Sequence, residues 1–241
     1  AAHVAEQNDE RLLVPPVREG YSMAETVLDV LRSDDGFTHE EAMLLDVMLI
    51  LHAEHGGGNN STFTTRVLSS SGTDAYSAYA AAIGSLKGPK HGGANFKVSQ
   101  MIDDVASHVR HWDSDDEVAS YLAKIVRREA FDRSGLIYGL GHAVYTLSDP
   151  RAVIVKKYAR RVAADKGLSE RLGLIESIER LGPQVMHDIK GSGKALCANI
   201  DLYTGFIYSM LGIEPDLYTA IFAMARLAGW TAHRMEELYG A

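Results

Sequence analysis

Three of the ten histidines stand among glycines: His55 in His55-Gly56-Gly57-Gly58-Asn59, His91 in Gly88-Pro89-Lys90-His91-Gly92-Gly93-Ala94-Asn95, and His142 in Gly139-Leu140-Gly141-His142-Ala143-Val144-Tyr145. Glycine lets backbone approach a ligand closely, and each histidine falls at an expected loop or helix edge. Gly88 and Pro89 stop the preceding element, so His91 is expected where a new helix begins. A helix start presents unpaired N–H groups whose partial positive charge disfavours imidazolium. Such a histidine is a neutral donor that polarises a carbonyl without acid; a polar loop histidine is the plainer reading of any one taken alone. Asp201, in Asn199-Ile200-Asp201, adds a carboxylate at the expected start of an apolar helix. Arg151 stands in Asp149-Pro150-Arg151, and Arg226 interrupts the apolar run 222–230. An arginine there either snorkels to solvent or is held for an anion. Neutral histidines, one carboxylate and buried arginines suit proton transfer on a carboxylate-bearing substrate.

Other patterns fail on spacing. Gly191-Ser192-Gly193-Lys194 ends like a phosphate loop, but Asp188 stands at the first glycine and Ala195 at the cation-binding hydroxyl. His52 and His55 match no zinc-helix spacing and lack a carboxylate third ligand, so no metal is expected. Ser69-Ser70-Ser71 reads as a helix break, and Lys156, Lys157, Arg160 and Arg161 as a solvated helix face.

The elements that must position these groups are all helical. Ser22 with Glu25, Thr38 with Glu41, and Ser114 with Glu117 form capping boxes. Asn60 or Ser61 opens a helix to about residue 68. Thr73–Leu86 is alanine-rich, which suits either a central buried helix or close packing against a second copy. A helix runs from His91 to about 109, and another from Ser114 to about 129. Residues 130–148 hold too many glycines for helix. Asp149 caps a helix opened by Pro150. Further helices are expected over 170–189, disturbed at Gly182-Pro183, over 199–211, and from Pro215 to about 238. Residues 1–20 read as an irregular lead-in, and no strand is expected.

With 241 residues, 46% hydrophobic and 23% charged, the chain reads as a soluble globular protein. Its net charge of -8 argues against a nucleic-acid partner. Cys197, the single cysteine, excludes an internal disulfide and suits a reducing, cytoplasmic setting. No apolar run reaches membrane length. No initiator Met or signal peptide is visible, so the chain is expected to begin partway through a longer protein.

From about Leu45 to Glu237, the motifs around His55, His91, His142–Arg151 and Asn199–Asp201 occur in the order seen in citrate synthases. The chain closely resembles that family, which includes 2-methylcitrate synthases. The resemblance implies an all-α, two-domain fold: 21–91 with 212–241 as part of the large, dimerising domain, and 92–211 as the small mobile domain. It implies condensation of acetyl-CoA with oxaloacetate to citrate and CoA. Asp201 would take the methyl proton, His91 would donate to the thioester oxygen, and His142 would polarise the ketone of oxaloacetate. His55, Arg151 and Arg226 would hold its carboxylates, as arginine forks suit them. Leu136, Ile137, Tyr138, Gly139, Leu140 and Gly141 would contact the CoA adenine, and Lys194 a CoA phosphate.

The resemblance further implies a homodimer, a CoA thioester as co-substrate and no tightly bound cofactor. Set against the family, Ala198 replaces a common proline. The start of the large domain and the C-terminal arm with its trans arginine are missing, so weak or absent turnover is expected of this chain alone. Alternatives are a propionyl-CoA-using 2-methylcitrate synthase, a citryl-CoA lyase, or a non-catalytic CoA-binding or dimerising module.

Overall fold

A computed structural model describes residues 16–32, 35–88, 91–141, 145, 147–191 and 196–240. Its helix boundaries follow short polar side chains. Ser22 and Glu25 exchange both bonds of a capping box ahead of α1 (Met23–Leu31), and Thr38 and Glu41 do the same for α2 (His39–Ala53). α3 spans Asn60–Ser70. α4 (Ala75–Leu86) starts two residues later than Thr73, because Asp74 accepts the Ser77 N–H and sets its beginning. α5 spans Ala94–His108 and α6 Asp115–Val126. At α6 only half a box forms. Ser114 caps Glu117, but the Glu117 carboxylate turns to the N–H groups of Arg110 and His111. That helix stops at Val126 rather than near 129, since Arg128 takes a left-handed conformation with φ 67°.

Asp149 caps α7 (Pro150–Asp165). α8 (Ser169–Lys190) runs through Pro183 without the expected interruption. Its buried Leu172, Leu174, Ile175 and Ile178 anchor it before the proline, and the Arg180 fork holds Asp115 of α6 at 2.5 and 2.6 Å. Tertiary packing therefore outweighs the local proline penalty. α9 spans Asp201–Met210, a 3₁₀ turn covers Pro215–Leu217, and α10 spans Tyr218–Tyr239. Among the described residues there is no strand, only an isolated antiparallel bridge between Leu140 and Ala198. No described helix is long and apolar enough to cross a membrane.

The chain divides into two compact units, Ala1–Gly93 with Gly212–Ala241, and Ala94–Leu211. In the first, α10 packs on α2, α3 and α4, α3 packs on α4, and α1 lies on α2. Phe222 and Trp230 of α10 close over Ala82 and Leu86 of α4. Gly229 lets α10 come close to the end of α2: a Cβ there would lie 2.3 Å from the Ala53 carbonyl oxygen. α4 buries Ala78, Ala82 and Leu86 but leaves Tyr76 and Ile83 exposed, so it is one-sided rather than central.

In the second unit, α9 is apolar around its whole circumference, with residues 202–208 and Met210 buried, as befits a central helix. It is surrounded by α5, α7 and α8, and α6 packs on α8 and α5. A half-buried polar knot ties the unit together. The Tyr203 hydroxyl donates to Glu179 of α8, and Lys156 of α7 donates to the same carboxylate at 2.7 Å. Burial first, then Glu179, raises the Tyr203 pKa and keeps the phenol protonated.

Candidate active site

In the first unit, Glu54 follows the last residue of α2, and the glycine loop carrying His55 begins there. The Glu54 carboxylate accepts the N–H of His55 at 2.8 Å and that of Gly56. It also meets His233 Nε2 of α10 at 3.2 Å, while His233 Nδ1 lies 2.7 Å from Glu236. Burial alone would raise the Glu54 pKa, but the His233 bond, its charge and the two backbone N–H groups together hold it below the ordinary value. Burial also disfavours the His233 cation, yet the two carboxylates overcome this and raise its pKa. His55 thus stands on backbone fixed by a charged trio.

His91 does not begin a helix. Its N–H bonds the Gly88 carbonyl at 2.9 Å and the Gly92 N–H bonds that of Leu86 at 2.7 Å, so it lies in a turn three residues before α5. Its neutral state has another cause than the one read from sequence. Burial first, then the nearby Arg226 cation, lower its pKa to about 4. His91 Nε2 lies 2.9 Å from Ser61 Oγ, which accepts the indole N–H of the fully buried Trp230 at 3.2 Å.

Phe222 organises the other groups. His91 and His52 meet it edge-on, with ring centroids 6.1 and 4.6 Å away, and the Arg226 guanidinium lies 4.9 Å over its face. Arg226 is 1% exposed and donates from Nε to the His52 carbonyl at 2.6 Å. It does not snorkel. A cation held inside in this way favours anionic groups.

In the second unit, residues 136–141 meet the segment before α9. The Gly141 N–H bonds the Cys197 carbonyl at 2.7 Å and the Asn199 N–H bonds that of Gly139 at 2.9 Å. Asn199 also uses its side chain twice. Nδ2 donates to the Gly141 carbonyl at 2.9 Å, and Oδ1 accepts the Asp201 N–H at 3.0 Å. Gly139 must be glycine: its φ is 83°, and a Cβ would sit 3.0 Å from Leu202 Cα.

Asp149, buried to 1%, binds in two directions. Arg151 forks onto it with contacts of 3.0 and 2.8 Å, and the Ile200 N–H donates to it at 3.1 Å. Burial would raise its pKa, but the bonds and charge of Arg151, with the Ile200 N–H, hold it below the usual carboxylate range.

The structure therefore gathers His91 and Arg226 around Phe222, with His55 on the glycine loop of the same unit. It gathers Arg151, Asp201 and residues 136–141 in the other unit, joined through Asp149 and Asn199. His142 and Lys194 lie outside the described residues. The sequence reading took Ser61 and Asp149 only as caps, and it missed Glu54, Trp230 and His233 as supports. Their partners are distant in sequence, so no local spacing signals them.

The whole chain, residues 1–241, matches the family described as citrate synthase, C-terminal domain. The chain belongs to the citrate synthase family. It is 40% identical over 199 residues to citrate synthase of Deinococcus radiodurans, covering 83% of this chain and 48% of that protein. It is 38% identical over 194 residues to 2-methylcitrate synthase of Shewanella oneidensis, covering 80% and 46%. Its fold matches the ternary complex of carboxymethyl coenzyme A and oxaloacetate with citrate synthase from Thermoplasma acidophilum. That match has a TM-score of 0.76 and 26% identity, over 98% of this chain and 57% of the other. The chain spans about half the length of the relatives it matches.

Proposed function

We propose that this citrate synthase family chain is the larger part of the site of an enzyme that condenses acetyl-CoA with oxaloacetate, releasing citrate and CoA. The observation that carries this reading is His91: half-buried, held neutral beside the buried Arg226, with Nε2 engaged by Ser61. A neutral imidazole so anchored can donate from Nδ1 to a thioester oxygen as enolate charge develops. Asp201 removes the methyl proton. His142 polarises the ketone of oxaloacetate as the carbon–carbon bond closes, and water then cleaves the thioester. His55, Arg151 and Arg226 hold the carboxylates; Arg151 reaches this task with its fork already oriented by Asp149. Residues 136–141 receive the adenine and Lys194 a phosphate.

The unit that includes α10 is the remaining part of the large domain, and Ala94–Leu211 is the small mobile one. A second copy covers the face of α3 and α4 that leaves Phe63, Val67, Tyr76 and Ile83 from 46% to 88% exposed. The buried Cys197, its thiol pushed up by burial and then by the Asp149 charge, suits a reducing cytoplasm.

The test is thiol release from acetyl-CoA or propionyl-CoA with oxaloacetate. It uses this chain and a version extended with the terminal segments of its relatives. The extended version is expected to release CoA and the present chain weakly or not at all, since a clamp arginine acts by positioning. Release that survives D201A sinks the base assignment, and silence from the extended version sinks the reading. A preference for propionyl-CoA assigns the 2-methylcitrate reaction, one methylene being worth about 10–200-fold.

A further inference from the structure

The segment 136–141, to which the proposed function gives the adenine of CoA, has two sides. Ile137 is 2% exposed, and Leu140 seats in a notch of α8 where a Cβ on Gly182 would collide with it. Gly139 and Gly141 are bonded to Asn199 and Cys197. Packing and backbone bonds thus fix the inner side. Leu136, 47% exposed, and the half-buried Tyr138 make up the outer side.

The outer side is held from the loop before it. Arg128, Phe131 and Arg133 take left-handed φ values of 67°, 55° and 57°. None is glycine, asparagine or aspartate, and bulky side chains rarely occupy that region. Such backbone persists only where surrounding contacts over-determine it. Asp132 stands among them. Its carboxylate accepts the Ser134 N–H at 3.0 Å and the Tyr138 hydroxyl at 2.7 Å, and Lys97 of α5 lies 3.9 Å away. Burial would raise its pKa, but Tyr138, Ser134 and Lys97 hold it below the ordinary carboxylate value, so it remains an acceptor. The Phe131 ring meets Tyr138 edge-on with centroids 6.0 Å apart, and the Tyr138 N–H points at Met101 Sδ at 3.3 Å. Tyr138 is therefore tied at its hydroxyl, its ring edge and its backbone.

We propose that Asp132 is a positioning residue for the nucleotide end of the CoA thioester: by holding the Tyr138 hydroxyl, it fixes the outer side of 136–141 on which the adenine lies. This rests on the reading that 136–141 receives the adenine. Asp132 acts on the grip of the nucleotide and not on the chemical step.

The test compares acetyl-CoA with acetyl-pantetheine, which lacks the nucleotide, in the extended version. D132A is expected to raise the KM for acetyl-CoA about tenfold, the scale of one charge-assisted hydrogen bond, with kcat and the KM for oxaloacetate near wild type. Its kinetics with acetyl-pantetheine are expected to match wild type. D132N keeps an acceptor for the hydroxyl and is expected to restore most of the affinity for acetyl-CoA. In a Y138F background D132A is expected to add little, since both changes remove the same bond. An unmoved KM for acetyl-CoA, an equal loss with both thioesters, or additive losses in the double variant overturns the proposal.

A second measurement uses the present chain without substrate. Amide exchange at Leu136, whose N–H bonds Ser134 Oγ at 3.2 Å, and at Tyr138 is expected to quicken in D132A while Gly141 keeps its protection. Unchanged exchange at both also overturns it. Quickened exchange with no CoA release from the extended version defeats the proposed function alone. Release with the acetyl-CoA KM unmoved in D132A defeats this inference alone.

Discussion

Replacing Asp149 tests how the second unit holds Arg151 and the Asp201 segment together. D149A removes three things at once. The N-cap of α7 is worth about 1 kcal/mol. Arg151, with a side chain only 13% exposed, loses its carboxylate, and breaking a pair at that depth costs about 3–5 kcal/mol. The Ile200 N–H loses its acceptor, at about 1–3 kcal/mol. These losses overlap, so D149A is expected to cost about 4–6 kcal/mol, and the isosteric D149N about half of that. Urea unfolding measures it. Trp112 lies in this unit and Trp230 in the other, so a W230F background lets Trp112 fluorescence follow the second unit. The sign with pH is fixed as well. The folded Asp149 pKa is depressed, so its stabilisation is complete above the unfolded value of about 3.9 and is lost as pH falls through the lower folded value. Asn cannot titrate, so the stability gap between wild type and D149N should narrow below about pH 4. A D149A cost under about 1 kcal/mol, or a gap unchanged in acid, refutes the two-way role.

The His233 pKa is raised in the fold, so its hold on the His55 loop is complete below the unfolded value of about 6.5 and is lost as pH rises through the folded value. Hydrogen exchange at the His55 and Gly56 amides, corrected for intrinsic rate, should lose protection over that rise. H233Q should abolish the dependence, and a retained dependence would count against it. G229A should destabilise the first unit by about 3 kcal/mol, because α10 must back away from the Ala53 carbonyl; a thermal transition within a degree of wild type contradicts this. Y203F should cost about 1–2 kcal/mol by removing the hydroxyl from Glu179 while Lys156 stays paired, and denaturant midpoints would show no change if the knot were idle.

Local chemistry carried the fold. The reciprocal boxes at Ser22 and Thr38, the Asp149-Pro150 start and the apolar circumference of α9 were all legible, because a cap or a period lies within a few residues. The third box misled because Glu117 had a second choice, His111, that patterning does not rank. His91 is the instructive case. Its neutrality was read from a helix start that lies three residues further on, while the actual causes are burial and Arg226, far along the chain. Arg226 was open between solvent and interior until Phe222 and the His52 carbonyl were seen around it. Supports such as Ser61–Trp230 and Glu54–His233 join residues far apart in the chain and leave no sequence period to read.

The first unit is interrupted in the chain, and α10 is made only after the whole of the second unit. During synthesis, α2, α3 and α4 leave the ribosome without the helix that covers them, while all of Ala94–Leu211 is still to be translated. At about 5–20 residues per second, that wait is on the order of ten seconds. For that interval Ala82 and Leu86 lack Phe222 and Trp230, and the Glu54 carboxylate lacks His233. The nascent chain thus shows apolar helix faces well before it can bury them. Chaperone capture of a stalled nascent chain should therefore be greatest just before residues 218–239 emerge, and should end once they have.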